Sequence, residues 1–389
     1  MRVSGRSLRR TVGGEEVASF VPYPLPPREP PLRISSERLT LLAKAEHALA
    51  RLEVAGEMVP SLDWFIYAFV RKEAVVSSQI EGTQATLVDL FAYEAAQSER
   101  PPLEEVREVC NYLDAVKYVR EQLANSKGLP LSTRLLGEAH RRLMRGVRGA
   151  HKEPGEIRRS QNWIGGTRPG NAAFVPPPPE QVPALMGALE KYLHADDVFP
   201  PLVRVGLAHV QFETIHPYLD GNGRIGRLLI ALLLEHWKLL SAPLLYLSLF
   251  FKRHRSEYYR LLGEVRGSGD WEAWTDFFLE GVAATGDEAV ATARELFALV
   301  SRDRQRLLHA AGTSVIAVRL LEQLPVHPVV TIPGIVRMLK TTKPTAAKAV
   351  GLLEKIGVLV ETSGKRRDRT FAYEAYLDKL RVGTEIEEG

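Results

Sequence analysis

From about Ser36 to Lys127 the apolar positions recur at helical spacing. Between Leu62 and Ile80, the residues Phe65, Phe69, Val76 and Ile80 fall on one stripe, and Gly82 supplies a stop. The run that opens "ERPPLEEVREVC" predicts another helix, entered through two prolines, with Val106, Cys110, Leu113, Val116 and Leu123 on its apolar side. A further helix is expected to reach about Val147, with Ser132 or Thr133 as its N-cap. Helical patterning resumes at about Gln181 to Leu193, near Pro201 to Glu213, and then to about Leu240. The segments "SLFFKRHRSEYYRLLGEV" and "WEAWTDFFLEGVAATGDEAVATARELFALVSRDRQRLL" continue it.

Three stretches break this rhythm. Phe20 to Ile34, "FVPYPLPPREPPLRI", favours an extended polyproline conformation and reads as an arm laid along the next domain. Before it, "MRVSGRSLRRTVGGEEV" is basic, has no apolar core behind it, and reads as a disordered arm rather than a secretory signal. In "GEIRRSQNWIGGTRPGNAAFVPPPP", the short apolar runs Trp163–Ile164 and Ala172–Val175 flank "GGTRPGN", a small hairpin signal that four prolines close. Beyond about Ala311 the character changes. "TIPGIVRMLKTTKPTAAKAVGLLEKIG" predicts two short helices joined by a tight turn, with Pro344 in the second helix's first turn. "VLVETSGKRRDRTFAYEAY" then reads as a strand, a basic loop and a strand, and the whole resembles a winged helix-turn-helix. Little else is strand-like, so the fold class is mainly α.

Composition narrows the picture modestly. The 389 residues are 45% hydrophobic and 25% charged, enough for two or three soluble domains. A net charge of +4 neither demands nor excludes a nucleic-acid or nucleotide partner. Cys110 is the single cysteine, which excludes an intrachain disulfide and fits a cytoplasmic protein. The most apolar run, Leu228 to Leu234, is far too short to span a bilayer and reads as buried helix.

The chemistry concentrates in His216 to Arg227, "HPYLDGNGRIGR". Gly221 and Gly223 let backbone N–H groups approach a ligand closely, and the helix start behind them is a ready anion site. Arg224 and Arg227 share one face of that first turn, where they oppose the helix dipole but suit phosphate oxygens. Asp220 beside phosphates calls for a cation, and magnesium binds through one or two carboxylates plus phosphate oxygens. His216 is the natural general base near neutrality. Alternatives fail on spacing: an EF-hand loop from Asp220 would have Arg224 at its fifth position and Ala231 at its twelfth, and GxxxxGK[ST] is absent.

This stretch closely resembles the Fic motif, HPFx[D/E]GNGRxxR, departing at Tyr218, whose hydroxyl then needs a partner in the core. The resemblance implies a Fic/Fido helical core with a β-hairpin flap, and transfer of AMP from ATP to a protein hydroxyl. It gives His216 the role of base, Asp220 that of magnesium ligand, and Asn222 with the Gly221 and Gly223 backbone that of anion hole. Arg224 and Arg227 would contact the outer phosphates, and Tyr258 and Tyr259 would be walls of an adenine pocket. The hairpin of Trp163, Ile164, Phe174 and Val175 would be the flap that aligns a target by strand addition.

"SSQIEG", Ser77 to Gly82, resembles the family's inhibitory motif. Glu81 sits at a helix C-terminus, where the dipole disfavours a carboxylate; by resemblance its offsetting partner is Arg227, taken away from ATP. The expected organisation is an arm over residues 1–35, an N-terminal helical region with the inhibitory motif over 36–127, a Fic core over 128–290, and a linker helix with the winged domain over 291–389. Lys343, Lys348, Lys365, Arg366, Arg367 and Arg369 suit DNA phosphates, so a DNA-binding regulator is the competing class. Within enzymes, removal of AMP and transfer of another nucleotide or phosphoryl group compete. Self-modification and a homodimer are further expectations; no membrane partner is expected.

Overall fold

A computed structural model describes residues 2–57, 62–96, 102–365 and 369–386. Arg366 and Arg367, two cations of the expected wing, lie outside the described residues. The chain folds as two compact units, each woven from separated stretches. The first gathers residues 1–50, 111–243 and 250–285; the second gathers 51–110, 244–249 and 286–389. These units do not follow the linear segments expected above.

The chain opens with strands β1 (Gly5–Val12) and β2 (Glu15–Pro22), where an irregular arm was expected. They pair antiparallel with Val12 opposite Glu15, leaving Gly13 and Gly14 as a two-residue turn. Both glycines have positive φ, 58° and 84°, the backbone that matches a hairpin's twist and that only glycine adopts freely. The proline-rich segment beyond it buries Leu25, Pro27 and Leu32. Buried Arg2 is held by Glu272 at 2.6 Å and by the carbonyls of Gly269, Pro30 and Pro31.

Helices follow: α1 (Ser36–Glu57), α2 (Leu62–Ile80), α3 (Leu87–Ala96), α4 (Glu104–Ala124), α5 (Thr133–Leu143), α6 (Val182–His194), α7 (Pro201–Ile215) and α8 (Asn222–His236). The bounds of α2 and the N-cap Ser132, which accepts from the Leu135 N–H, agree with the periodicity. Helix α5 stops short of Val147 because the backbone turns at Gly146 and Gly149, both at positive φ. The next expected helix is two, α9 (Ser248–Arg253) and α10 (Arg255–Ser268), broken at His254. Then comes the 39-residue α11 (Trp271–His309).

Helices α6, α8 and α10 pack on α7. Every residue of α7 beyond its first is buried. Trp274 is fully buried, and its indole N–H donates to the Gly206 carbonyl at 3.0 Å. A side chain at Gly206 would stand 3.0 Å from the Phe278 ring, so glycine sets how closely α7 approaches α11. Burying one such aromatic contributes about 2–3 kcal/mol.

In the second unit, α12 (Val315–Gln323), β3 (Val329–Thr331), α13 (Ile332–Leu339), α14 (Lys343–Lys355), β4 (Val360–Glu361), β5 (Thr370–Ala372) and α15 (Glu374–Leu380) complete the chain. The three strands form an antiparallel sheet ordered β3-β5-β4. Thr331 and Thr342 cap α13 and α14, and Lys340 in the left-handed region makes the tight turn between them. Among the described residues, no helix is long and apolar enough to cross a membrane.

Candidate active site

The motif occupies the corner between α7 and α8. Helix α7 ends at His216, whose φ of 50° and ψ of 62° are left-handed. For a residue with a β-carbon that conformation costs about 1–2 kcal/mol, so the surroundings must hold it. The His216 N–H closes the helix on the Phe212 carbonyl at 2.9 Å. Arg158, fully buried, donates its Nε to the His216 carbonyl at 2.9 Å and its backbone N–H to the Pro217 carbonyl at 2.9 Å. Burial lowers the Arg158 pKa to about 10, which leaves it charged at neutrality. Asn222 reaches back: its Oδ1 accepts from the Tyr218 N–H at 2.9 Å, and its Nδ2 donates to the Tyr218 carbonyl at 2.8 Å. The carboxamide thus braces the loop with its oxygen and one of its two N–H donors, and the backbone N–H of Asn222 stands at the helix start. Gly221, at φ 73°, starts α8. A β-carbon there would lie 3.0 Å from Met144 Sδ and 3.3 Å from His140 Nε2, so any other residue would have to displace those side chains on top of straining the backbone.

The first intrahelical bond of α8 runs from Ile225 to the Gly221 carbonyl, leaving the N–H groups of Asn222, Gly223 and Arg224 outside the helix's own ladder. Arg224 and Arg227 are 2% and 3% exposed, so two guanidinium groups are buried beside this positive helix end. Arg224 lies 3.7 Å from Met144 Sδ and 4.0 Å from Asp220 Oδ1. Asp220 Oδ2 accepts from Lys152 Nζ at 2.8 Å. Burial opposes the Asp220 charge, but Lys152, the Gly221 N–H and Arg224 outweigh it, and the carboxyl titrates below its ordinary range. A half-exposed, ionised carboxylate among cations suits a magnesium ion that takes its other ligands from phosphates and water. No cluster of three or more metal-binding side chains stands among the described residues, so a metal held by protein alone has no cage there.

His140 was not singled out in the sequence, yet it braces this loop. Its ring stacks on Tyr218 at 3.9 Å and 5°. Its Nε2 meets the Asp220 carbonyl at 2.9 Å and its Nδ1 meets the Gly155 N–H at 2.8 Å. A carbonyl only accepts and an N–H only donates, so the neutral ring with its proton on Nε2 is the form that fits. Burial lowers its pKa to about 4, against a smaller opposing pull from the Asp220 carbonyl.

The flap lies in the same unit. Ile164 and Phe174 exchange two backbone bonds of 2.8 and 3.1 Å in a single antiparallel bridge, with Gly165 and Gly166 at positive φ. Trp163 is 39% exposed. The flap is tied to the loop by Asn162, which donates to the Tyr218 carbonyl at 3.1 Å. Arg158 adds a second tie through the Pro177 carbonyl at 2.6 Å. On its other side the flap meets β2: the Phe20 N–H donates to the Val175 carbonyl at 2.9 Å. Glu15 bonds Arg168 at 2.8 Å and the Gly170 N–H at 2.6 Å.

Residues 39–121 match the Fic/DOC family N-terminal model, and residues 130–234 match the Fic/DOC family model. The chain carries a Fic domain. Over 190 residues it is 31% identical to the protein adenylyltransferase Fic of Aedes aegypti and 30% identical to that of Drosophila melanogaster. Each match covers 48% of this chain and 34% of the relative, so the chain spans about a third of the curated relatives it matches. Among solved structures, a Fic family protein from Desulfovibrio desulfuricans superposes with TM-score 0.58 at 23% identity, over 88% of this chain and 98% of that one. A Fic domain containing signaling protein from Bacteroides thetaiotaomicron gives TM-score 0.54 at 18% identity, over 64% and 97%. These likenesses establish the mainly helical fold.

Around the Fic domain, the two tyrosines of α10 part company. Tyr258 is 1% exposed, and its hydroxyl bonds His209 Nε2 at 2.8 Å. It packs among Phe251 at 4.6 Å and Trp274 at 6.0 Å, so it is core, and an exposed adenine wall is excluded for it. The reason is its helical phase, which turns it toward α7, whereas Tyr259 is 43% exposed. Ser77, Glu81 and Gly82 lie in the second unit. Ser77 is buried in α2, which closes with Glu81 N–H and Thr83 N–H both on the Ser78 carbonyl and Gly82 at φ 93°. Gly82 is thus the left-handed stop that the sequence implied.

Proposed function

We propose that the Fic domain transfers AMP from ATP to a hydroxyl side chain of a protein, and that its N-terminal motif restrains it. The observation that carries this reading is the corner between α7 and α8: a left-handed His216 held by Arg158, followed by a helix start flanked by two buried arginines. The curated relatives, named protein adenylyltransferases, support it. In this reading His216 takes the proton of the attacking hydroxyl, whose oxygen bonds the α-phosphorus as the bond to the β-phosphate breaks and pyrophosphate leaves. The N–H groups of Asn222 and Gly223 and the guanidinium groups of Arg224 and Arg227 hold phosphate oxygens and the charge that grows on them. Asp220 would hold a magnesium ion, which would supply charge neutralisation to the phosphates. The Trp163–Ile164 edge of the flap aligns the target main chain, with Phe174 and Val175 backing it and Tyr259 toward the adenine base. Glu81, with Ser77 and Gly82 shaping its turn, competes for Arg227.

The test is intact-mass and peptide mass spectrometry of the Glu81→Gly protein incubated with ATP and magnesium. An added AMP on itself or on a co-purified protein is expected, and more of it than on wild type. Absence of any adduct would overturn the reading. His216→Ala should lower labelling by about 10²–10⁴-fold with an unchanged melting temperature; retained labelling would remove His216 from the role of base.

A second reading, not exclusive of the first, is DNA binding by the C-terminal segment, which we read as a winged helix. It is favoured by charge: residues 329–372 carry nine Lys/Arg against three Asp/Glu.

A further inference from the structure

We propose that Gln79 is a positioning residue that hangs the inhibitory turn on the C-terminal tail, making that tail a control point for Glu81. The inference rests on the reading of Ser77–Gly82 as inhibitory and names what regulates it. All the residues concerned belong to the second unit.

Gln79 sits in the last turn of α2, two residues before Glu81. Its Nε2 donates to two main-chain carbonyls, Ala85 at 2.9 Å and Thr384 at 2.8 Å. The first belongs to the segment leaving the turn, the second to the tail 305 positions away. One carboxamide therefore pins the inhibitory turn from both sides. The tail is itself built to receive it. Thr384 is 1% exposed, and its N–H and hydroxyl both close on the Arg381 carbonyl, at 2.7 and 2.8 Å. Backbone carbonyls in such a turn are fixed acceptors, and the part-buried Gln79 amide exchanges one of them for water only at a net cost of about one hydrogen bond.

The tail leads directly back to the basic segment. It follows α15, which follows β5, the central strand of the β3-β5-β4 sheet whose β4–β5 loop carries Lys365 and Arg369. Tyr373, between β5 and α15, donates its hydroxyl to Asp303 at 2.7 Å, and Lys379 bonds Glu295 at 2.6 Å. A second link runs beside it. Helix α3 packs on β3, and Tyr67 of α2 stacks on Phe91 of α3 at 6.0 Å and meets His327 edge-on at 6.1 Å. The inhibitory helix is thus joined to the C-terminal segment at two places, through Tyr67 with α3 and through its own last turn. A ligand that shifts β5 or α15 would alter the acceptor at Thr384 and so the rigidity of the turn that carries Glu81.

The experiment compares self-labelling from α-labelled ATP in wild type, Gln79→Ala, a chain ended after Val382, Glu81→Gly, and Gln79→Ala with Glu81→Gly. The shortened chain should label about five-fold faster than wild type, the weight of one hydrogen bond, and Gln79→Ala, which removes two, at least as fast. Glu81→Gly should label fastest, and adding Gln79→Ala to it should change nothing. A merely structural role would lower labelling, so a gain at unchanged melting temperature is specific. Hydrogen exchange should quicken over residues 77–86 in the shortened chain. If Glu81→Gly is activated while Gln79→Ala and the shortened chain stay at the wild-type rate, the tether is refuted and inhibition stands. If Glu81→Gly is not activated, inhibition fails and the tether's role falls with it.

Discussion

His140 contributes to the loop by remaining neutral. It accepts from Gly155 through Nδ1 and donates to the Asp220 carbonyl through Nε2, and a second proton on Nδ1 would break the first of these bonds. Burial holds its pKa at about 4 in the folded chain, whereas unfolding returns it to about 6.5. Between those values the unfolded chain binds the extra proton and the folded chain does not. The contribution of a neutral His140 is therefore complete above about pH 6.5 and is lost as the pH falls toward 4. Wild type should lose about 2 kcal/mol more unfolding free energy between pH 7 and pH 5 than His140→Gln, read by urea titration at each pH; parallel losses would show that the ring is not held neutral. Residues of this kind were not legible in the sequence. The acid, base and cations of the motif stand within a dozen positions and announce themselves together, but His140 lies 80 positions from Asp220, and Arg158 58 positions from His216. Their partners are backbone carbonyls, which carry no residue-type signal. Asn222 was legible as important for the opposite reason, although its carboxamide also braces the loop through Tyr218.

At the scale of elements, helices were read well wherever one apolar stripe persisted, as in α2, and less well where a break depended on a single residue, as at His254 between α9 and α10. The N-terminal hairpin was missed although Gly13-Gly14 is a strong two-residue turn signal, because flanking arginines resemble a solvated arm and β2's partner in the flap is remote. The hairpin matters for what the flap can do. With the Val175 carbonyl taken by Phe20, the flap's outer edge is closed by the chain itself, and an added strand must pair along the Trp163 side. Glu15 is the pin of this arrangement, joining Arg168 and the Gly170 N–H. Glu15→Ala should speed hydrogen exchange of residues 163–175 several-fold and raise KM for a protein target while leaving KM for ATP unchanged. Equal exchange in the variant would show that the flap holds its shape without the hairpin.

At the scale of the whole chain, the formal charge of +4 conceals a sharp division. Residues 329–372 hold nine Lys/Arg against three Asp/Glu, which leaves 42 against 44 for everything else. The cations are displayed: Lys343, Lys348 and Lys355 are exposed on α14, with the small residues Ala347 and Gly351 exposed between them, and Lys365 and Arg369 are exposed in the following loop. Small side chains let a helix approach a groove closely, and flanking lysines suit the phosphates on either side. A protein-docking surface has less use for so many charges of one sign, since their weight at an interface rim is small and screened. The two uses differ in salt dependence. If about four of these cations neutralise duplex phosphates, the logarithm of the association constant should fall against the logarithm of salt concentration with a slope of about −3 to −4. The full chain should shift mixed-sequence duplex at low salt with that slope, and Lys343→Ala with Lys348→Ala should flatten it by about two without sequence preference. A chain that ignores duplex DNA at low salt would leave this basic face to a protein or to another polyanion, and would remove DNA as the ligand that reaches the C-terminal tail.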